Sequence, residues 1–464
     1  MSTKANRMQR GSYLIKGGAV ITVDPALGTM PKADVLVRDG AIVSVGPMLS
    51  AHDAEVIDAS RMIVMPGMID THYHMWSTLG RNFLADGGFE YFPAKWATAG
   101  LYGVEDFYNS VSLGLAELAN GGVTTVNNWS HNNRSPQHVD AELEAHRNSL
   151  LRARYSLGHI DRMPVDVVNT FEDLDRVRRE WFDDGSRLHG LVHLGVNLRG
   201  MIQSDARVFH SEMQDMLKRK IAVCIHASQS QPNSDDAADY EKRGYLGPNF
   251  LFCHYIAATD SDRAAMARTG TPLSFSTHSE LRLGEHGDPR SALLKARAAG
   301  VSVTLSSDAS SIAPPNMFEN MRFTWNMGIP WKGHDTEHLP AVGFYDVIEM
   351  ATINGARALG LGDVTGSLTP GKRADLILIR TADLNIAPLA QIETTIVLSA
   401  TPTNVDTVMV DGRILKRHGQ LLHLDVPGIV ERAEQSALRI RNTAGGVLKP
   451  VSAAPGNPVH SAAC

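Results

Sequence analysis

The stretch Met62-Ile63-Val64-Met65-Pro66-Gly67-Met68-Ile69-Asp70-Thr71-His72-Tyr73-His74 separates two textures of sequence. Before it lie short apolar runs at 13–15, 19–23, 34–37 and 41–45, punctuated by Gly17-Gly18, Asp39-Gly40 and Gly46-Pro47. Such runs between turn dipeptides predict a small antiparallel β unit. After Pro66-Gly67, apolar runs at 123–127, 191–197, 221–226, 250–255, 273–276 and 301–306 each precede an amphipathic stretch, at 139–153, 205–220, 234–244, 261–269, 290–299 and 317–327. Strands alternating with helices of this length predict βαβ units and a parallel sheet. Sustained over about 300 residues, the alternation predicts a closed (β/α)8 barrel. Short strands return near Gly366, at 374–379, 396–398, 405–410 and 413–415. The two flanks are expected to pair into one small β domain, giving segments 1–66, 67–364, 365–425 and 426–464, the last a helix at 428–442 followed by an extended tail.

Composition narrows the function. The 464 residues are 43% hydrophobic and 20% charged, values of an ordinary globular chain that exclude disorder, collagen and coiled coil. A net charge of −6 without a basic block argues against nucleic acid as a partner. Cys224, Cys253 and Cys464 are too few and too scattered for a disulfide framework or a cysteine zinc site, which favours a reducing compartment. The first twenty residues carry charges and no apolar core of signal-peptide length. No apolar run approaches the ~18–20 residues needed to span a bilayer. The expectation is a soluble cytoplasmic protein acting on a small molecule, without nucleic acid or membrane.

Histidine is the informative residue. On a strand, positions i and i+2 face the same way, so His72 and His74 can point to one centre while Tyr73 faces away. His226 closes the apolar run 221–226, His254 follows Phe250-Leu251-Phe252-Cys253, and Asp308 follows Val301–Ser307, all at strand ends where barrel enzymes gather their groups. Taken singly, each is equally well a hydrogen-bonded strand terminus or a helix cap. Together, three imidazoles and a carboxylate offer Zn²⁺ or Fe²⁺ an N/O site with room for water. A metal there lowers the pKa of its water toward ~7. His254 would orient or deprotonate that water, and Asp308 would carry its proton to the leaving group. Cys224 and Cys253 read as packing.

An ordered series of segments resembles the amidohydrolase superfamily, in particular the branch of triazine hydrolases, chlorohydrolases and cyclic deaminases. Its marks are Met65–His74, the strand-end His226 and His254, Ser306-Ser307-Asp308, Met317-Phe318-Glu319-Asn320-Met321-Arg322, Ala351-Thr352-Ile353-Asn354-Gly355-Ala356-Arg357, Gly366-Ser367-Leu368-Thr369-Pro370-Gly371-Lys372-Arg373-Ala374-Asp375 and Val405-Asp406-Thr407-Val408-Met409-Val410-Asp411-Gly412. The resemblance spans nearly the whole chain. It implies a (β/α)8 TIM-like barrel with a composite β-sandwich domain from the N- and C-terminal segments. It also implies a divalent metal held by His72, His74, His226 and Asp308, with His254 beside the bound water, and a homodimer or larger homo-oligomer. Two-metal relatives bridge their ions with a lysine on the fourth strand; the matching stretch 191–200 has none, so one ion is expected, zinc first and iron, cobalt or manganese as alternatives.

Departures from the pattern bear on substrate. Deaminases of this branch usually carry glutamate three residues after the fifth-strand histidine, where this chain has Gln229. A glutamine hydrogen-bonds but cannot pass a proton. His278 and Glu280 are candidate replacements, since relatives often have asparagine where Glu280 falls. Trp76, Phe83, Phe89, Tyr91, Phe92 and Trp96 crowd the first loop, as a pocket wall or as a local core, and Trp129 and His131 follow the second strand as further substrate candidates. Arg81 is the one candidate there for an anion clamp. The expected reaction is hydrolysis of a non-peptide C–N bond, or a carbamate-type C–S bond, in a small neutral amide, urea or carbamate. Members of the branch that act on phenylurea and thiocarbamate herbicides extend this to xenobiotic degradation. The alternative is deamination or dehalogenation of a nitrogen heterocycle such as a triazine or a purine-like ring; a non-enzymatic scaffold is disfavoured because all four candidate ligands are retained.

Overall fold

The computed structural model describes residues 9–84, 90–184, 187–201, 203–227, 235–284 and 287–446. Gln229, Phe89, Cys464 and the tail beyond residue 446 lie outside the described residues.

Two sheets organise the chain. The first has strands β1 (Tyr13–Ile21), β2 (Thr29–Arg38), β3 (Ala41–Gly46), β4 (Glu55–Asp58) and β5 (Met62–Pro66). The second is built from β6 (Met68–Tyr73), β7 (Val123–Ser130), β8 (Arg152–Leu157), β9 (Val192–Leu198), β10 (Val223–His226), β11 (Phe250–Cys253), β12 (Leu273–Phe275) and β13 (Val303–Leu305). The chain then returns to the first sheet with β14 (Leu376–Arg380), β15 (Val405–Val410), β16 (Arg413–Arg417) and β17 (Gln420–Leu421). The first sheet runs β17-β16-β15-β14-β5-β1-β2-β3, with β4 also on β1. Both flanks of the chain thus form one continuous sheet, joined where β5 and β14 pair antiparallel from Met62↔Arg380 to Pro66↔Leu376. The N-terminal strands are not purely antiparallel as expected, because β1 lies parallel to β4 and β5.

Period-2 alternation explains why β5 and β14 are apolar throughout. Ile63, Met65, Ile377 and Ile379 pack into the main core on the barrel side. Val64, Leu376 and Leu378 pack on the other side with Val20, Val35 and Met409, in a core of the sheet's own. A strand buried on both faces shows no polar alternation. Gly67 carries the chain from one sheet into the other past Thr124, where a Cβ would come within 2.1 Å of the Thr124 hydroxyl.

The eight strands β6 to β13 are parallel and in chain order. The circle closes through residue 308: Asp308 N–H donates to His72 C=O at 2.8 Å and His74 N–H donates to Asp308 C=O at 2.8 Å. Asp308 adopts φ +60°, a left-handed conformation that aspartate tolerates better than most side chains. Part of the lumen is hydroxylic where such barrels are usually packed with branched apolar side chains. Thr71 Oγ1 lies 2.7 Å from both Ser274 Oγ and Thr304 Oγ1, and Ser306 Oγ bridges Ser274 and Ser276 at 2.8 and 2.7 Å. These short side chains satisfy one another, which buried polar groups must do.

Strand β8 was not evident in the sequence. Its Arg152 forms a two-pronged pair with Asp375, Nε to Oδ2 at 2.6 Å and Nη2 to Oδ1 at 3.1 Å, with both side chains buried. Asp375 Oδ1 also accepts the Asp411 N–H at 2.7 Å, so this carboxylate pins the barrel to the flanking sheet. Residues 396–398, expected as a strand, lie in a wide helical turn, Thr395–Ser399. The C-terminal helix Val426–Thr443 packs on helix Val104–Gly121, with Asn109 Nδ2 donating to Ser436 Oγ at 3.1 Å. Its Ala433 and Ile440 share an apolar cluster with Trp76, Phe83, Tyr102 and Phe107. Among the described residues no helix is long and apolar enough to cross a membrane.

Candidate metal centre

Strand ends at one mouth of the barrel deliver the expected groups. His72 and His74 come from the end of β6 and its exit, His226 is the last residue of β10, and Asp308 lies three residues past β13. Asp308 Oδ1 stands 3.1 Å from His72 Nε2 and 3.1 Å from His74 Nε2. His226 Nε2 is 3.2 Å from each of the same two nitrogens. The four donor atoms all lie within 4.8 Å of one another, and all four residues are buried. Bonds of ~2.0–2.1 Å at tetrahedral angles place ligand atoms about 3.3 Å apart, close to these separations. Three nitrogens and a carboxylate oxygen so near one another cannot all be satisfied by shared protons, whereas one cation satisfies them together.

Electrostatics fit the same use. Burial pushes His72 down to about 4 and holds His74 and His226 well below the usual histidine value, so the imidazoles are neutral, as metal ligation requires. Burial alone would raise Asp308, but hydrogen bonds from His72 and His74 hold its carboxyl well below the ordinary range. The four atoms form a candidate site for a divalent metal ion.

The surrounding shell was only partly anticipated. Asp70, part of the opening stretch but not singled out, accepts the N–H of His72 at 3.2 Å and of Ser307 at 3.1 Å through Oδ1, tying together the two strand ends that carry ligands. Burial pushes its carboxyl up to about 7. Trp129, expected against substrate, stacks on His226 at 4.1 Å and meets His72 edge-on at 4.7 Å, fully buried behind the ligands.

His131 and Trp76 also stand behind a candidate ligand. Trp76 Nε1–H donates to His131 Nδ1 at 2.9 Å, which leaves that nitrogen bare and places the His131 proton on Nε2, 3.6 Å from Asp161 Oδ1. His74 Nδ1 lies 3.3 Å from the same bare nitrogen, so the hydrogen between them belongs to His74 and its Nε2 is free for a cation. Asp161 is in turn paired with Lys95 Nζ at 3.1 Å. Nothing in the sequence around Lys95 or Asp161 marked this chain of contacts. Trp76 stacks on Phe107 at 6.0 Å, so the first-loop aromatics that are described serve at least in part as a local core. Arg81 is engaged by Glu117 and is not a free clamp.

His254 follows β11 with its ring 5.3 Å from those of His72 and His226. Burial would lower its pKa, but the charge of Glu280 and its hydrogen bond to the ring raise it to about 9. Glu280 Oε1 lies 3.0 Å from His254 Nδ1. His278 turns elsewhere: its ring stacks on Phe323 at 5.0 Å, with Nε2 3.7 Å from Glu319. The contacts of His278, proposed with Glu280 as a replacement acid, are thus on the helix Met317–Met327.

Each neutral buried histidine costs the metal-free protein stability as pH falls. His146 is held at about 3 by burial, and His72 and His193 at about 4. Each folded value lies below the unfolded ~6.5, so between those limits the unfolded chain binds more protons and stability rises with pH. This stability is complete above about pH 6.5 and is lost as pH falls toward 4. At pH 5 His146 alone should account for about 2 kcal/mol. His254, raised to about 9, and the buried carboxyls of Asp70 and Glu142, raised to about 7, act the other way and gain stability as pH falls from 7.5 to 5. An NMR pH titration of chelator-treated protein from pH 7.5 to 5 should leave the His146 ring unprotonated; protonation within that range would refute the neutral assignment.

A parallel barrel with a histidine–carboxylate cluster at its mouth is the frame of a hydrolase. The model of the amidohydrolase family matches residues 63–415, and the chain belongs to that family. A 5-methylthioadenosine/S-adenosylhomocysteine deaminase of Symbiobacterium thermophilum is 29% identical over 455 residues, covering 95% of this chain and 96% of the relative. A 5'-deoxyadenosine deaminase of Methanothermobacter thermautotrophicus is 28% identical, covering 93% and 100%. Among solved structures, the fold is similar to that of an adenosine deaminase of Xanthomonas campestris with bound zinc, at TM-score 0.78 and 20% identity over 94% of this chain and 99% of that one. It is also similar to that of an atrazine chlorohydrolase of Arthrobacter aurescens complexed with zinc, at TM-score 0.79 and 19% identity over 92% and 100%. This chain is accordingly a hydrolase acting on carbon–nitrogen bonds other than peptide bonds.

Proposed function

We propose that the chain is a mononuclear metal-dependent hydrolase that cleaves a C–N bond at an sp² carbon of a small neutral amide, urea or carbamate. The convergence of His72, His74, His226 and Asp308 carries this reading. A divalent ion bound there, zinc by analogy with the two solved structures, supplies a Lewis acid that acidifies water. Among the described residues this is the one group of its kind, and β9 offers no lysine to bridge a second ion. In this reading Asp308 takes the proton from water, and His254, protonated at neutral pH, orients the water and can hand a proton to the departing amine. The glutamine at 229 cannot donate an acid proton to a ring nitrogen, which favours a carbonyl substrate.

A second reading, hydrolytic deamination of a purine-type ring, is favoured by the names of the two relatives. Metal-loaded enzyme assayed against ureas, carbamates and amides beside 5'-deoxyadenosine and chlorinated triazines separates them. Amine release from the carbonyl panel is expected. Ammonia from the nucleoside, with the carbonyl compounds untouched, would establish the second reading instead. Gln229→Glu should increase any ammonia release from the nucleoside under the first reading.

A further inference from the structure

Glu280 is the carboxylate that the cluster itself does not use. It lies on the short helix Thr277–Leu283 that follows β12 and is 1% exposed, as is His254. Its Oε1 accepts the Ser276 N–H at 3.0 Å and faces His254 Nδ1 at 3.0 Å, while Oε2 is buried with no hydrogen-bond partner. An ionised carboxylate only accepts, so the hydrogen between Glu280 and His254 sits on Nδ1. That leaves Nε2 as the one nitrogen of His254 able to exchange a proton. The ring is held from two other directions as well. It stacks on His226 with an interplanar angle of 20° and meets His72 edge-on at 89°. The His254 backbone sits at φ +74°, a left-handed conformation that persists in such a side chain only where the surroundings impose it.

We propose that Glu280 is a positioning residue for His254. It holds the Nδ1–H and sets the tilt of the imidazole so that Nε2 serves the four-donor cluster, and it keeps a negative charge behind the ring. This deepens the hydrolytic reading and rests on it. Glu280 itself, enclosed behind His254, acts through the histidine and does not touch substrate. Two carboxylates therefore flank the centre with separate duties: Asp308 belongs to the cluster, and Glu280 belongs to the histidine beside it.

The decisive substitution is Glu280→Gln, which preserves shape and an acceptor oxygen but removes the charge. With the substrate found in the panel, kcat should fall roughly 10–100-fold, the usual effect of losing a partner that orients a site histidine. KM, metal content and Tm should stay near those of the parent enzyme. Loss of Tm in proportion to activity, or an unchanged kcat, would overturn the proposal. A second measurement needs no substrate. In proton NMR spectra of the intact chain, a histidine N–H held by a carboxylate gives a strongly deshielded resonance, which should be lost or moved upfield in Glu280→Gln. If the unsubstituted protein lacks that resonance, the pairing is wrong. If the resonance is present while no panel compound is turned over, the pairing stands and it is the hydrolytic reading that fails.

Discussion

Replacing Asp308 by asparagine should lower turnover by roughly 10³-fold or more while leaving the protein folded. Asp308 is the sole anion of the cluster, and its Oδ1 faces two histidine nitrogens at 3.1 Å. Asparagine keeps the shape but loses the charge that, in the proposed function, binds a cation and accepts a proton. The fold should survive because the closing contacts with His72 and His74 are made by the backbone of residue 308, which the substitution leaves in place. Asparagine also tolerates positive φ, as alanine does not, which makes Asp308→Asn a cleaner variant than Asp308→Ala. Activity, metal stoichiometry and Tm should be measured on one preparation. Turnover within tenfold of the parent enzyme, at full metal occupancy, would remove Asp308 from the chemistry.

The largest expected effect on stability belongs to Arg152. In Arg152→Met the Asp375 carboxylate loses its cation in a site where neither partner meets solvent. Breaking a buried pair from one side costs about 3–5 kcal/mol, because an uncompensated charge remains. The urea midpoint should fall accordingly, and Asp375→Asn added to Arg152→Met should recover part of the loss. A single variant within about 1 kcal/mol of the parent would show that Asp375 finds another way to be neutralised.

These two residues also mark what was readable in the chain and what was not. The clustering of His72, His74, His226 and Asp308 was readable because strand periodicity is 2 and each of them lies at or just beyond the end of an apolar run. The barrel was readable because its strands and helices alternate with different periods. Strand β8 was hidden because Arg152 and Arg154, both buried, break the apolar run; their burial depends on a partner 223 residues away and on the lumen, neither visible locally. Residues 396–398 are apolar enough for a strand, and tertiary packing wound them into a helical turn. His278 and Glu280 looked equivalent as loop neighbours. On a helix, residues two apart differ by about 200° in direction, so the helix Thr277–Leu283 sends Glu280 to His254 and His278 to Phe323. His131 was expected to face substrate, yet its ring nitrogens are committed to Trp76, His74 and Asp161, a three-dimensional circumstance that spacing does not encode.

The seam between β5 and β14 has a consequence for biosynthesis. Met62–Pro66 leaves the ribosome early, yet one of its flanking partners, Leu376–Arg380, is translated more than 300 residues later. Until then a strand apolar on both faces has an open edge directly upstream of the first two candidate metal ligands. The nascent chain must shield that edge or delay its compaction, and a fragment ending before residue 376 has no native way to cover it.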